Sequence, residues 1–181
     1  PSLLRDESEL PPSRTNTQVW LFTMVESPQR YHLRGFSPAL FNASYTYKEG
    51  SDVRKLDFKP VAYSNITNFS ATVKQINVSR FHRHGTQKKL VSWVVSDCFA
   101  PSDRAHYVSM MKEYIQVDIY GKCGSLKCPR GDSWMADECH AMVADNYIFY
   151  LAFENSLCID YLTEKVWRTL QLGLIPVVYG D

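Results

Sequence analysis

The run YIFYLAFENSLCIDYLTEKVWRTLQLGLIPVVYG, Tyr147 to Gly180, carries the pattern that decides the fold. Tyr147–Phe153 is apolar and of strand length, and Glu154, Asn155 and Ser156 open a polar loop after it. Tyr161–Leu172 has helical spacing, Gly173 is placed as its stop, and Leu174–Tyr179 is a second apolar run. Strand, loop, helix, strand implies parallel strands joined by a right-handed crossover. Ligands of such sheets bind outside the carboxyl ends of the strands, beside helix N-termini. Glu154, Asn155, Ser156, Tyr161, Glu164 and Lys165 are concentrated there. Bare spacing also fits a simple helix cap with an exposed Glu-Lys pair.

Upstream the same alternation recurs. Leu90–Val95 reads as a buried strand, and Pro101–Tyr114 as a helix with Ala105, Val108, Met111 and Ile115 on one face. Ile115–Tyr120 is another strand, followed by a Cys-, Gly- and Pro-containing excursion over 121–146 with a helical turn near Ala136–Ala144. Val19–Val25 is an apolar run closed by Glu26-Ser27-Pro28, and Ala39–Tyr47 is a second strand candidate. Residues 1–18 read as a polar tail, and 48–88 show no firm period. The basic residues Arg80, His82, Arg83, His84, Lys88 and Lys89 fit a solvated linker better than a nucleic-acid patch. The expected fold is therefore α/β, with one unit over 19–88 and a second over 89–181.

Composition narrows the compartment. A net charge of +1 gives no reason to expect nucleic acid, and no apolar stretch is long enough to cross a membrane. Asn42, Asn65, Asn68 and Asn77 all head N-x-S/T sequons, against about one expected by chance. Five cysteines (Cys98, Cys123, Cys128, Cys139 and Cys158) suit an oxidising lumen, the odd one pairing elsewhere or staying free. A zinc site using His140 is the weaker alternative, since Cys123 and Cys128 lack knuckle spacing. The chain opens on Pro1 and stops after an apparent strand, the pattern expected of a piece of a longer protein.

FYLAFENSLCIDYLTEKVWRTLQLGLIPVVYG closely resembles the donor-binding motif of the GDP-fucose-dependent α1,3-fucosyltransferases of glycosyltransferase family 10. Further matches follow in the family's order. VWLFTMVESP resembles its strand and E-S-P turn, and FNASYTYKEGSDV its F-N-x-T-x-x-Y-R-x-D-S-D motif. VSWVVSDC with Arg104 resembles S-N-C…R, and VDIYGKCGSLKC resembles V-D-I-Y-G-x-C-G. The Cys-rich run and Cys158 look more like invertebrate and core-type members than the Lewis-type group.

The resemblance implies two Rossmann-like domains of the GT-B type, both incomplete here, with the donor domain C-terminal: residues 1–18 a stem remnant, 19–88 the acceptor side and 89–181 the GDP-fucose side. It implies inverting transfer of fucose to an N-acetylglucosamine-containing glycan, in the Golgi lumen, by a type II membrane protein anchored outside this stretch. Arg104 and Lys165 are then the cations for the diphosphate, each charge-assisted hydrogen bond contributing roughly 1.5–3 kcal/mol. Asn155 and Tyr161 contact the nucleotide sugar and Glu164 its hydroxyls. Glu26 is the general base, activated by partial burial beside Phe22 and Val25. No D-x-D triplet is present, so no metal is required and a divalent cation is at most stimulatory. Three departures stand out: Lys48 replaces an Arg, Gly50 an Asp, and Asp97 the Asn of S-N-C. They leave a catalytically inactive glycan- or nucleotide-binding homologue as the alternative.

Overall fold

The computed structural model describes residues 7–30, 37–55, 88–128 and 138–180. Two all-parallel sheets are present among them. The first has the order β1 (Leu21–Met24), β2 (Ala43–Thr46), β3 (Val53–Arg54). In the second, β4 (Lys89–Val94) and β6 (Tyr147–Phe153) are central, with β5 (Val117–Tyr120) beside β4 and β7 (Ile175–Tyr179) beside β6.

Helices α1 (Arg104–Met111), α2 (Glu138–Asn146) and α3 (Glu164–Gln171) connect the second sheet's strands. From β4 the chain steps outward to β5, then crosses back over to β6 and on to β7. Right-handed crossovers in opposite directions put their helices on opposite faces. Accordingly Val108 of α1 packs against Val91, Trp93, Leu151 and Phe153 on one face. Val143 of α2 and Val166 of α3 pack against Tyr150 and Ala152 on the other. Both faces are covered, which explains why these strands read as continuous apolar runs. The direction changes between β4 and β6, where such a fold leaves a crevice at the strands' carboxyl ends.

Two helices begin later than the apolar pattern predicts. α1 starts at Arg104 rather than Pro101, because Ser102 is tied to the end of β6: its N–H donates to Asn155 O at 3.1 Å and its hydroxyl to Glu154 O at 2.8 Å. α3 starts at Glu164 rather than Tyr161, after Asp160 turns the chain in the left-handed region (φ 65°). Gly173, at φ 75°, ends the helix as expected. Gly121, at φ 93°, lies so close to β4 that a Cβ there would meet Val95 O at 2.5 Å. β3 was not expected; it is two exposed residues. The polar segment 14–18 is anchored, since Arg14 donates to Leu40 O at 2.9 Å and stacks over Trp20. Most of the 48–88 stretch, with Asn65, Asn68 and Asn77, lies outside the described residues; Asn42 is exposed at the start of β2.

The cysteines pair as Cys98–Cys123 and Cys128–Cys139, leaving Cys158 free. Four of the five are thus in disulfides, Cys139 beside His140 among them.

Asp118 on β5 ties three strands together. It accepts from Lys89 Nζ at 2.7 Å, Tyr147 Oη at 2.6 Å and Gln116 Nε2 at 3.2 Å. Burial pushes its carboxyl up, but these donors outweigh burial and hold it below the ordinary 3.8. A depressed carboxylate contributes stability above its unfolded pKa, lost as pH falls through the folded value. Melting temperature is therefore expected to fall as pH drops below about 4. Asp118→Asn should cost about 2 kcal/mol at pH 7 and flatten that acid slope, read by thermal melts across pH.

Candidate active site

At the carboxyl ends of β4 and β6 lies a cavity of about 160 Å³. Val94, Val95 and Ser96 form one wall and Arg104, at the start of α1, another; Glu164, Lys165 and Arg168 of α3 and His140 of α2 complete it. Three cationic side chains and a histidine thus converge on the crevice that the strand order creates. Its position is the one expected from the β6–α3–β7 pattern.

Each predicted cation is held. Arg104 is buried, with Nη1 donating to Phe153 O at 2.6 Å, Nη2 to Asp97 O at 3.4 Å, and Cζ 5.6 Å from the Trp93 ring centre. Burial lowers its pKa, opposed by Asp97 and Glu154. Its Nε is buried without a partner among the described residues.

Lys165 turns to Glu154 at 2.9 Å and to Thr163 Oγ1 at 2.6 Å. Glu154, fully buried, also accepts the Thr163 N–H at 2.8 Å and its hydroxyl at 2.8 Å. The expectation of an open helix N-terminus for phosphate is corrected here: Glu154 already places a carboxylate against the start of α3. A sequence signal for that role existed, a Glu at the end of a strand nine residues before a Thr helix cap, but only the closeness of the two elements reveals it.

Glu164 is half-exposed beside Lys165 at 3.6 Å. Partial burial raises its carboxyl, but Lys165, its own backbone N–H, Thr163 and Arg168 together bring it below the usual range. Arg104, Glu164 and Lys165 therefore share one cavity. Arg168 was not singled out from sequence and His140 only as a zinc ligand, yet both line the same space. His140 Nε2 is 3.3 Å from Tyr150 Oη.

Asn155 and Tyr161 are placed differently. The Asn155 carbonyl receives Ser102 N–H, and its side-chain oxygen is buried without a partner among the described residues. Tyr161, 1% exposed, donates its hydroxyl to Glu26 Oε2 at 2.9 Å. Glu26 follows β1 and is exposed, so the burial expected to activate it is absent.

The segment from Glu26 to Arg30 docks on the second sheet's loops. Ser27 Oγ and Ser156 Oγ, both fully buried, lie 2.6 Å apart, and Gln29 Nε2 donates to Leu157 O at 3.3 Å. Arg30 pairs with the Asp97 carboxylate. That contact accounts for one departure from the family pattern: Asp97's charge is compensated by Arg30. Lys48 and Gly50 are exposed near the same junction, where Glu49 N–H donates to Asp160 Oδ2 at 3.1 Å.

A family model for glycosyltransferase family 10 (fucosyltransferase), C-terminal part, matches residues 84–181. The chain belongs to this family. It is 36% identical to α-(1,3)-fucosyltransferase C of Drosophila melanogaster over 94% of this chain and 42% of that protein. It is 35% identical to GDP-fucose protein O-fucosyltransferase 3 of Xenopus laevis, over 94% of this chain and 37% of that one. The chain thus spans roughly two-fifths of these relatives' length. A crystal structure described as α1,3-fucosyltransferase with GDP-fucose superposes with a TM-score of 0.56 at 14% identity, covering 93% of this chain and 54% of that one. This supports a shared α/β fold with parallel sheets.

Proposed function

We propose that the protein is an α1,3-fucosyltransferase, transferring L-fucose from GDP-fucose to an N-acetylglucosamine-containing glycan with inversion. One observation carries this reading: Phe153 and Glu164, which line the cationic cavity of the second sheet, flank the segment whose Ser156 and Tyr161 hold Ser27 and Glu26 of the first. The two sheets then serve as parts of a GT-B pair, residues 19–88 on the acceptor side and 89–181 holding the donor.

The chemistry asks for little beyond these groups. The acceptor oxygen forms a bond to the anomeric carbon as the bond to the diphosphate oxygen breaks, and GDP leaves with the electron pair. The acceptor's proton passes to Glu26. Charge growing on the leaving diphosphate is met by Arg104, Lys165 and Arg168 with no metal required of the site. Arg104, held by the Phe153 carbonyl and the Trp93 ring, lines the cavity where such an anion would sit. We assign the reaction to the Golgi lumen, with membrane attachment outside these residues; the two disulfides support an oxidising, secretory-route compartment.

A second acceptor class is favoured by a specific finding, since relatives of equal similarity are named protein O-fucosyltransferases. Serine or threonine hydroxyls would then replace the glycan hydroxyl with the donor site unchanged. An acceptor panel on full-length protein separates them: N-glycans with core and antennary N-acetylglucosamine against folded protein domains. Fucosylation of glycans is expected, and labelling of protein hydroxyls alone would reassign the acceptor. GDP bound without turnover on any acceptor would indicate the inactive homologue.

A further inference from the structure

The Tyr161 hydroxyl has one hydrogen-bond partner among the described residues, and it is the candidate base rather than a donor contact. The tyrosine is rigidly set. Its N–H donates to Cys158 O at 3.0 Å, its ring meets Tyr47 edge-on at 4.9 Å, and the preceding Asp160 is fixed by its left-handed turn and the bond from Glu49 N–H. Glu26, by contrast, is an exposed side chain just beyond a short strand. An exposed glutamate samples several rotamers, and a base that samples them is misplaced most of the time.

We propose that Tyr161 is a positioning residue for Glu26, holding one carboxylate oxygen so that the other is presented to the acceptor hydroxyl. This rests on the reading of Glu26 as base. Oε2 is taken by Tyr161, and Oε1 has no protein partner among the described residues. The backbone is held next door, through Ser27 and Ser156. Both restraints come from loop 154–161 of the donor half, so the base is aligned only when the halves sit in this arrangement. Tyr161 keeps its own proton throughout: burial, then the charge of Glu26, push its hydroxyl far above the ordinary value. The proton leaving the acceptor therefore ends on Glu26.

A double-mutant cycle on full-length protein tests this, with calorimetric GDP binding alongside. Tyr161→Phe keeps the ring and frees an exposed carboxylate, so the fold and melting temperature are expected to hold. Transfer should fall about 10- to 100-fold, the scale set by misplacing a reacting group, with GDP affinity within twofold. In a Glu26→Gln background, Tyr161→Phe should cost no further transfer. Equal losses in both backgrounds, or a tenfold weaker GDP affinity in Tyr161→Phe, would overturn the proposal and make Tyr161 a donor contact. Where residual transfer in Glu26→Gln is too low to compare, the GDP affinity decides. Full transfer by Glu26→Gln would instead remove the base itself, a separate failure.

Discussion

Glu26→Gln lowers transfer by about 10²- to 10⁴-fold, the range a positioned general base supplies, while GDP affinity and melting temperature stay near those of the wild type. Both halves of that expectation come from where Glu26 sits. It is exposed and contacts the rest of the fold through Tyr161, so replacing its carboxylate by an amide leaves no buried group unsatisfied. It lies outside the cavity walls, so the cations there keep their geometry. An acceptor hydroxyl is a poor nucleophile, and an amide cannot take its proton. Steady-state transfer with GDP calorimetry checks this; transfer within twofold of wild type would leave Glu26 as a turn residue before Pro28.

Glu154→Ala is expected to do the opposite, damaging stability and donor binding together. Its carboxylate is fully buried and holds Thr163 twice and Lys165 once. Alanine strips the start of α3 of its counter-charge and releases Lys165, whose side chain is 26% exposed. Because that ammonium can reach water, the loss falls toward the low end of breaking a buried pair, about 3 kcal/mol. For a chain of this size that is a melting temperature lower by roughly 6–12 °C. GDP affinity should fall about tenfold as Lys165 and Glu164 lose their fixed placement, a loss of one charge-assisted contact. A thermal melt and GDP titration read both; a melt within 2 °C of wild type would mean the carboxylate is dispensable to the helix start. Glu26 and Glu154 thus separate chemistry from architecture within one site.

Legibility tracked the physics of burial. The β6–α3–β7 unit was readable because a parallel strand covered on both faces leaves an uninterrupted apolar run, and Gly173 marks the helix stop. The two helix starts were misplaced by about a turn: Ser102 is claimed by a partner far along the chain, which no local period reports, and Asp160 turns left-handed ahead of α3. β3 offered only Val53 and Arg54, too short for any pattern. In the site, Arg104, Glu164 and Lys165 followed from the motif and do share a cavity. Arg168 and His140 came from the way α2 and α3 stack on one face, and Arg30 opposite Asp97 from the docking of one sheet's loop on the other. The Asp97 departure, unfavourable when read alone, is neutralised by a residue that sequence gives no reason to pair with it.

The most direct measurement is incubation of full-length protein with GDP-fucose and an N-glycan acceptor, with the product's linkage and anomeric configuration read by NMR. Fucose α-linked to O3 of N-acetylglucosamine is the expected product. Recovery of unmodified glycan from a protein that binds GDP would contradict transfer, and a β-linked product would contradict inversion.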